Sequence, residues 1–375
     1  MNEFGRNNDF SRLELSASGL LANYTYFRSK LEPQTKLLVL MKANGYGHGA
    51  VELAAMLQQA GADYLAVALP VEGIELRKAG ISLPVLVLTA GTDAYEDIIK
   101  YRLEPGIPNM YALTKIRKVL SKAGIKDYPV HIKLDTGMHR LGFMKSELDQ
   151  LCQSLGSIHE IKVKSIYSHL AAAEDPREDA FTLGQISLFD EGAARITQTL
   201  GYKPMYHILN SAGIERFTEY QYDMVRLGIG IYGISCLPGV QLSPVASLKC
   251  KILQIKELKP EDGTIGYGRW GCVAPGGTKI ATIPVGYADG IDRRLGRGNA
   301  TFSVCGKRVP TIGNICMDMC MVDTTDLDVR PRVGDKVTVF GSARSADELA
   351  DALGTINYEI TCDVGKRVRR LYVGG

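Results

Sequence analysis

From Leu37 to Gly233, short apolar runs alternate with longer segments whose apolar residues recur at helical spacing. The runs cover 37–42 (LLVLMK), 63–69, 84–90, 102–107, 129–137, 161–170, 205–210 and 223–233, and the fourth, RLEPGI, has the weakest strand character. Helical spacing is clearest over 51–61, 110–124 and 183–201. Strand–helix alternation predicts a parallel sheet with right-handed crossovers, and eight such units predict a (β/α)8 barrel of the TIM type, here over 13–238. After about Cys236 the pattern changes. The segments 248–258, 278–288, 300–310, 320–327 and 336–341 are short β-like runs broken by Gly, Pro and Asp, and only 345–354 (SADELADALG) reads as a helix. The expectation is an α/β chain with a second, mostly β C-terminal domain over 239–375.

Composition narrows the function classes. At 375 residues, with 45% hydrophobic and 23% charged residues, the chain suits one large domain and one smaller one. A formal charge of +3 gives no reason to expect a nucleic-acid partner. The opening MNEFGRNNDFSR has no apolar signal region, and no run reaches membrane-spanning length. The eight cysteines form no Cys-x-x-Cys pair and no metal-ligand rhythm with the six histidines, so reduced, mostly buried thiols in a cytoplasmic, metal-free protein are expected.

The chemistry centres on Leu37–Ala50, LLVLMKANGYGHGA. Lys42 closes a buried run and is followed by Gly45, Gly47 and Gly49. Desolvation at a strand end lowers an amine's pKa and frees it as a nucleophile or base, while glycines let backbone approach an anion. Together they fit pyridoxal phosphate held through the lysine amine. A snorkelling lysine before an ordinary glycine loop fits this stretch equally well. Other polar groups also fall at barrel strand ends: Asp135-Thr136-Gly137, His169 and Asn210-Ser211. Each has an ordinary explanation as a turn, a satisfied histidine or a helix cap, but one shared pocket accounts for all of them. The run 228–233 (GIGIYG) matches a dinucleotide fingerprint formally. It lies at the end of the barrel pattern with no following helix, strand and acidic residue, so a phosphate site on the last strands fits better.

These blocks, in this order, resemble the alanine racemases. The resemblance implies Lys42 as cofactor lysine and first base, and Tyr46 at the cofactor phosphate. HIKLDTGMHRLGF supplies Lys133, often carbamylated in the family, and Arg140, which would orient the substrate carboxylate or a cofactor oxygen. YSHLA supplies His169, beside the catalytic tyrosine and the cofactor. HILNSAG supplies His207, Asn210 and the phosphate contact Ser211. VRLGIGIYG supplies Arg226 at the pyridine nitrogen, with Gly228 and Ile229 at the phosphate. In the second domain GYGRW implies Tyr267 as second base, IPVGYADG implies Tyr287, ICMD implies Met317 and Asp318, and INYEI implies Tyr358 as a further cofactor contact. An arginine at the ring nitrogen stays protonated, which leaves the pyridine neutral and restricts side reactions. A tyrosine base needs cationic or hydrogen-bond support, because an ordinary phenol has a pKa of about 10.

The resemblance further implies a homodimer with a shared active site, a small amino-acid substrate, D-alanine for peptidoglycan, and an N-terminal segment, 1–12, packed with the second domain. One position departs from the pattern: where the family often carries Gly-Arg before ICMD, this chain has Gly313-Asn314. Competing readings are a broad-specificity amino-acid racemase, a pyridoxal-phosphate carrier without racemase activity, and a barrel-type decarboxylase. The last lacks its glycine triplet here.

Overall fold

Strands such as Lys36–Leu40, Tyr64–Val67 and Val85–Val87 bury hydrophobic residues on both faces, as a sheet wrapped by helices requires. In the computed structural model, which describes residues 10–341 and 345–374, eight strands form one parallel sheet: β2 (Lys36–Leu40), β3 (Tyr64–Val67), β4 (Val85–Val87), β5 (Glu104–Ile107), β6 (Tyr128–Lys133), β7 (Ile161–Tyr167), β8 (Met205–His207) and β9 (Met224–Leu227). Its order is β8-β7-β6-β5-β4-β3-β2-β9, and the hydrogen bonds Asp223 N–H to Tyr206 O and Arg226 N–H to Leu209 O bring β9 against β8. The sheet is therefore a nearly closed barrel. Helices with buried faces cross between strands. In Ala50–Gln59, for example, Ala50, Leu53, Ala54 and Leu57 are buried at helical spacing.

The weak fourth run is a real strand, β5. A Cβ on its Gly106 would sit 2.4 Å from the Tyr167 hydroxyl, so a neighbouring ring dictates the residue that weakens the strand signal. The eighth run is shorter than expected. Strand ends at Leu227, and Ile229–Tyr232 forms a 3-10 turn closed by Gly233 at φ 96°. The Gly228 and Gly230 N–H groups turn onto the Ser211 hydroxyl at 2.9 and 3.3 Å and so cannot extend the ladder.

The chain divides into two compact units: residues up to Leu20, Tyr46–Gly49 and everything from Pro244 onward in one, and Leu21–Gly45 with Ala50–Ser243 in the other. The expected boundaries lay at 12/13 and 238/239, and residues 1–9 of the expected N-terminal segment lie outside the described residues. In the β-rich unit β1 (Ser11–Ser16) runs antiparallel to β10 (Ala246–Lys251) and parallel to β19 (Arg369–Val373) within a nine-stranded sheet. A second helix, Asn357–Cys362, joins the expected one over Ala346–Leu353. Asn357 bonds Asp347 of the first helix, while Ile360 and Thr361 are buried. The thiols are free, yet only Cys250 and Cys320 are buried, which corrects the expectation of mostly buried cysteines. Cys305 sits at the exposed turn after β15 (Thr301–Val304) with φ 49°.

Candidate active site

In the barrel unit, Lys42 follows β2 and the chain then turns left-handed. Ala43, Asn44, Gly45 and Tyr46 all have φ between 51° and 62°. Only glycine takes this conformation freely, and each L-residue costs about 1–2 kcal/mol there. The turn is held by Gly45 N–H to Met41 O (2.9 Å), Ala43 N–H to the Glu72 carboxylate (2.6 Å) and Ala50 N–H to the Asn44 side chain (3.0 Å). Sequence reasoning missed Glu72. Its signal is Pro70-Val71-Glu72, a helix start at which the same carboxylate also accepts from Ala68 and Leu69.

At the C-terminal ends of the strands the charges of Arg226, Lys133, Arg140 and Lys42 all bear on His169. Lys133 ends β6 and is only 7% exposed. Burial, then the Arg226 and Arg140 cations, pull its amine down to about 8. Arg140 is exposed. His169 follows β7. Burial first, then Arg226, Lys133, Arg140 and Lys42, drive it well below the ordinary imidazole range, so it is neutral. Its Nδ1 accepts from Arg226 at 3.2 Å, which leaves the hydrogen on Nε2. The nearby Asp135 carboxylate is engaged by the Gly137 and His139 N–H groups, both at 3.0 Å. The cluster is thus a cationic socket.

Arg226 is held from all sides but one. Its two terminal nitrogens donate to His207 Nδ1 (2.8 Å), His207 O (3.1 Å), Ser168 O (2.5 Å) and Ile208 O (2.8 Å) as well as His169. Its Nε–H has no partner among the described residues. Burial lowers its pKa to about 10, so it remains a cation near neutrality. Asn210 caps the helix Ser211–Arg216, accepting from Gly213 N–H at 2.9 Å and donating to Leu170 O at 3.3 Å, so both ends of its amide hold backbone. Ser211 is the first residue of that helix. Its Oγ accepts from Gly228 and Gly230 N–H, with Ile229 between them, and so its own hydrogen is available to a ligand.

The β-rich unit assembles the remaining candidates. Tyr267 follows Gly266 at φ 78° and is 71% exposed. Its carbonyl accepts from the Asn314 amide at 2.7 Å, and Asn314 accepts from Arg297 Nε, also at 2.7 Å. The Arg297 guanidinium lies 3.7 Å over the Trp270 ring. The cation missing at 314 therefore arrives from 297, a residue the sequence reading passed over because only the fold brings the two positions together. Tyr287 N–H donates to Cys316 O and Ala288 N–H to Met317 O, both at 3.0 Å, which fixes Tyr287 beside Met317. Asp318 pairs with Arg367 at 2.7 Å, and Arg367 also grips the buried Asp289. Tyr358 faces Tyr46 with ring centroids 6.0 Å apart. Burial, reinforced by Tyr358 and Cys362, raises the Tyr46 phenol, which is therefore neutral.

Sequence models of the alanine racemase N-terminal and C-terminal domains match residues 15–236 and 245–372. The chain belongs to the alanine racemase family. It is 38% identical over 378 residues to an alanine racemase of Methanococcus maripaludis, covering 96% of this chain and 98% of that one. Among solved structures it resembles the alanine racemase of Clostridium difficile 630, with TM-score 0.89, 34% identity and coverage of 97% and 95% of the two chains. It also resembles the Bartonella henselae alanine racemase with covalently bound pyridoxal phosphate, with TM-score 0.88, 28% identity and coverage of 97% and 99%. Within this family the eight-stranded barrel and the β-rich second unit take their expected places. Among the described residues no helix is long and apolar enough to cross a membrane.

Proposed function

We propose that the protein is a pyridoxal-phosphate-dependent racemase interconverting L- and D-alanine. The observation that carries this reading is the cationic socket at the strand ends, where Arg226 donates to His169 at 3.2 Å and Lys133 and Arg226 lie 5.6 and 5.7 Å from the centroid of the same Tyr167 ring. Such a socket fits a dianionic cofactor and a substrate carboxylate. The donor set also fits in detail. The Ser211 hydroxyl is oriented by two backbone N–H groups and suits a phosphate oxygen. The uncommitted Arg226 Nε–H suits a ring nitrogen that accepts, which a neutral pyridine does.

When bound, pyridoxal phosphate supplies the electron sink that acidifies the substrate Cα–H. Lys42 Nζ would take or return that proton on one face. The phenolic oxygen of Tyr267 of the partner subunit would act on the opposite face, as inversion demands. Arg140 would orient the carboxylate by charge-assisted hydrogen bonds. Tyr46, Asn210, Gly228, Ile229 and Tyr358 would complete the cofactor's surroundings, with Met317 and Tyr287 at the substrate and Asp318 supporting them.

A homodimer is part of this proposal. The loops bearing Tyr267, Tyr287 and Met317 are tied to one another, yet these side chains are 71%, 45% and 54% exposed, and Trp270 is 58% exposed. Apolar exposure of this kind fits a surface covered by a second copy. A cytoplasmic role in supplying D-alanine for peptidoglycan completes the proposal.

The test is to incubate the purified protein with L-alanine in deuterated water. Loss of optical rotation together with deuterium at Cα is expected. Deuteration without loss of rotation would mean one working base, and no change in either signal would refute the proposal. The match of the C-terminal domain over 245–372 supports this reading over a carrier built on the barrel alone.

A further inference from the structure

A barrel interior is normally filled by branched apolar side chains, but here five adjacent strands each contribute a polar one. Glu104 opens β5, His131 lies in β6, Ser165 in β7, His207 ends β8 and Arg226 lies in β9. All five are buried, with His131, Ser165 and His207 fully so. They form an unbroken chain of contacts: Glu104 Oε2 to His131 Nε2 at 2.8 Å, His131 Nδ1 to Ser165 Oγ at 2.6 Å, Ser165 Oγ to His207 Nε2 at 2.8 Å, and His207 Nδ1 to Arg226 at 2.8 Å.

The direction of every hydrogen follows from one end. Arginine can only donate, so His207 Nδ1 accepts. Burial, followed by the Arg226 cation, drives His207 well below the ordinary imidazole range. It is therefore neutral with its hydrogen on Nε2, which donates to Ser165 Oγ. The serine hydrogen then points to His131 Nδ1, and His131 donates from Nε2 to Glu104. A cationic His131 would leave the Ser165 hydrogen without an acceptor in a dry site, which is costly. The far end is a firm anion. Burial would raise the Glu104 carboxyl, but the His131 hydrogen bond and the Lys164 ammonium hold it below the usual carboxylate range. Lys164 Nζ lies 3.1 Å from Glu104 and is 39% exposed, so the chain runs from the barrel surface to the cationic socket. Tyr167 stacks on His207 with centroids 5.1 Å apart and keeps the imidazole in plane.

We propose that Glu104, His131, Ser165 and His207 form a one-way hydrogen-bond relay that fixes the orientation of Arg226, with Ser165 as the positioning residue that joins its two halves. The inference rests on the proposed role of Arg226 as the cofactor's ring-nitrogen donor. With both terminal nitrogens of Arg226 locked by the relay and by backbone carbonyls, its Nε–H keeps one direction, set by strand geometry rather than by the ligand.

The test begins with 15N-histidine spectra of the full-length chain, with and without cofactor, His131 and His207 being assigned by His131→Gln and His207→Gln. Both histidines should be neutral Nε2–H tautomers in the unmutated protein. An Nδ1–H tautomer or an imidazolium at either position overturns the proposal. Ser165→Ala should then disturb both tautomers, change the cofactor's visible absorption and lower kcat about tenfold, the scale of one lost hydrogen bond, with KM nearly unchanged. Ser165→Thr, which keeps the hydroxyl, should restore all three. A folded Ser165→Ala with unaltered absorption and kcat would refute the relay. Arg226→Gln separates the two readings. If it leaves the cofactor's absorption unchanged, the cofactor role of Arg226 fails, while the tautomers of the cofactor-free chain still report on the relay.

Discussion

Lys133→Met should make the cofactor-free protein more stable near neutral pH, and the gain should disappear in alkali. Lys133 is 7% exposed and lies among Arg226 and Arg140, so its ammonium is poorly accommodated. Its folded pKa of about 8 lies below the ordinary 10.5. Between those values the unfolded chain holds a proton that the folded chain has released, so stability rises with pH across that window. Below about 8 both states are protonated and the whole cost is present; above 10.5 there is none. At about 1.4 kcal/mol per pH unit, the drop from 10.5 to about 8 corresponds to about 3 kcal/mol. Methionine keeps most of the stem's packing without the charge. The assay is urea unfolding of both proteins in CO2-free buffer at several pH values from 7 to 10.5, read as the difference between them. That difference cancels other alkaline titrations, such as those of the buried tyrosines. A difference that does not change with pH would refute the reasoning. Added bicarbonate should stabilise only the unmutated protein: the neutral amine adds CO2, releases one proton, and places a carbamate between two arginines.

The remaining expectations address the site directly. Lys42→Ala should abolish both activity and the visible absorption of lysine-bound cofactor, and retained absorption would assign the wrong lysine. Tyr267→Phe should keep the cofactor yet lose racemisation by at least about a hundredfold, the scale of a missing general base; normal rates in both directions, measured by polarimetry, would remove its role. Gly47→Ala should lower stability by more than about 1 kcal/mol in thermal unfolding. The added Cβ would lie 2.0 Å from Thr361 O at a φ of 83°, and an unchanged midpoint would contradict that geometry. Sedimentation of the active protein should show a dimer, and full activity in a monomer would contradict the shared site.

The division between what could be read from the chain and what could not is physical. The barrel is legible because buried parallel strands must be continuous apolar runs, and the strand-end residues Lys42, Asp135, His169 and Ser211 stand out where those runs stop, whereas Lys133 is reached only through the family resemblance. Glu104, His131 and Ser165 carry no such signal. Each is a single polar residue inside a strand, and only closure of the sheet reveals that they touch. Arg297 and Asn314 meet across a turn for the same reason. The left-handed path through Ala43 and Asn44 is hidden because local preference argues against it, and Glu72, far along the chain, helps to stabilise it. Helix Asn357–Cys362 is not legible because six residues are too few to show a helical repeat.

The position of β1 has a consequence for how the protein folds. This strand lies between β10 and β19, and β19 ends at Val373. Arg12 pairs with Lys249, 237 residues further on, and with Arg369, 357 residues further on, so this part of the nine-stranded sheet rests on contacts of very long sequence separation. Pairing of that kind is intrinsically slow to form. Until Arg369–Val373 docks, β1 presents a bare strand edge, a template for pairing with other chains.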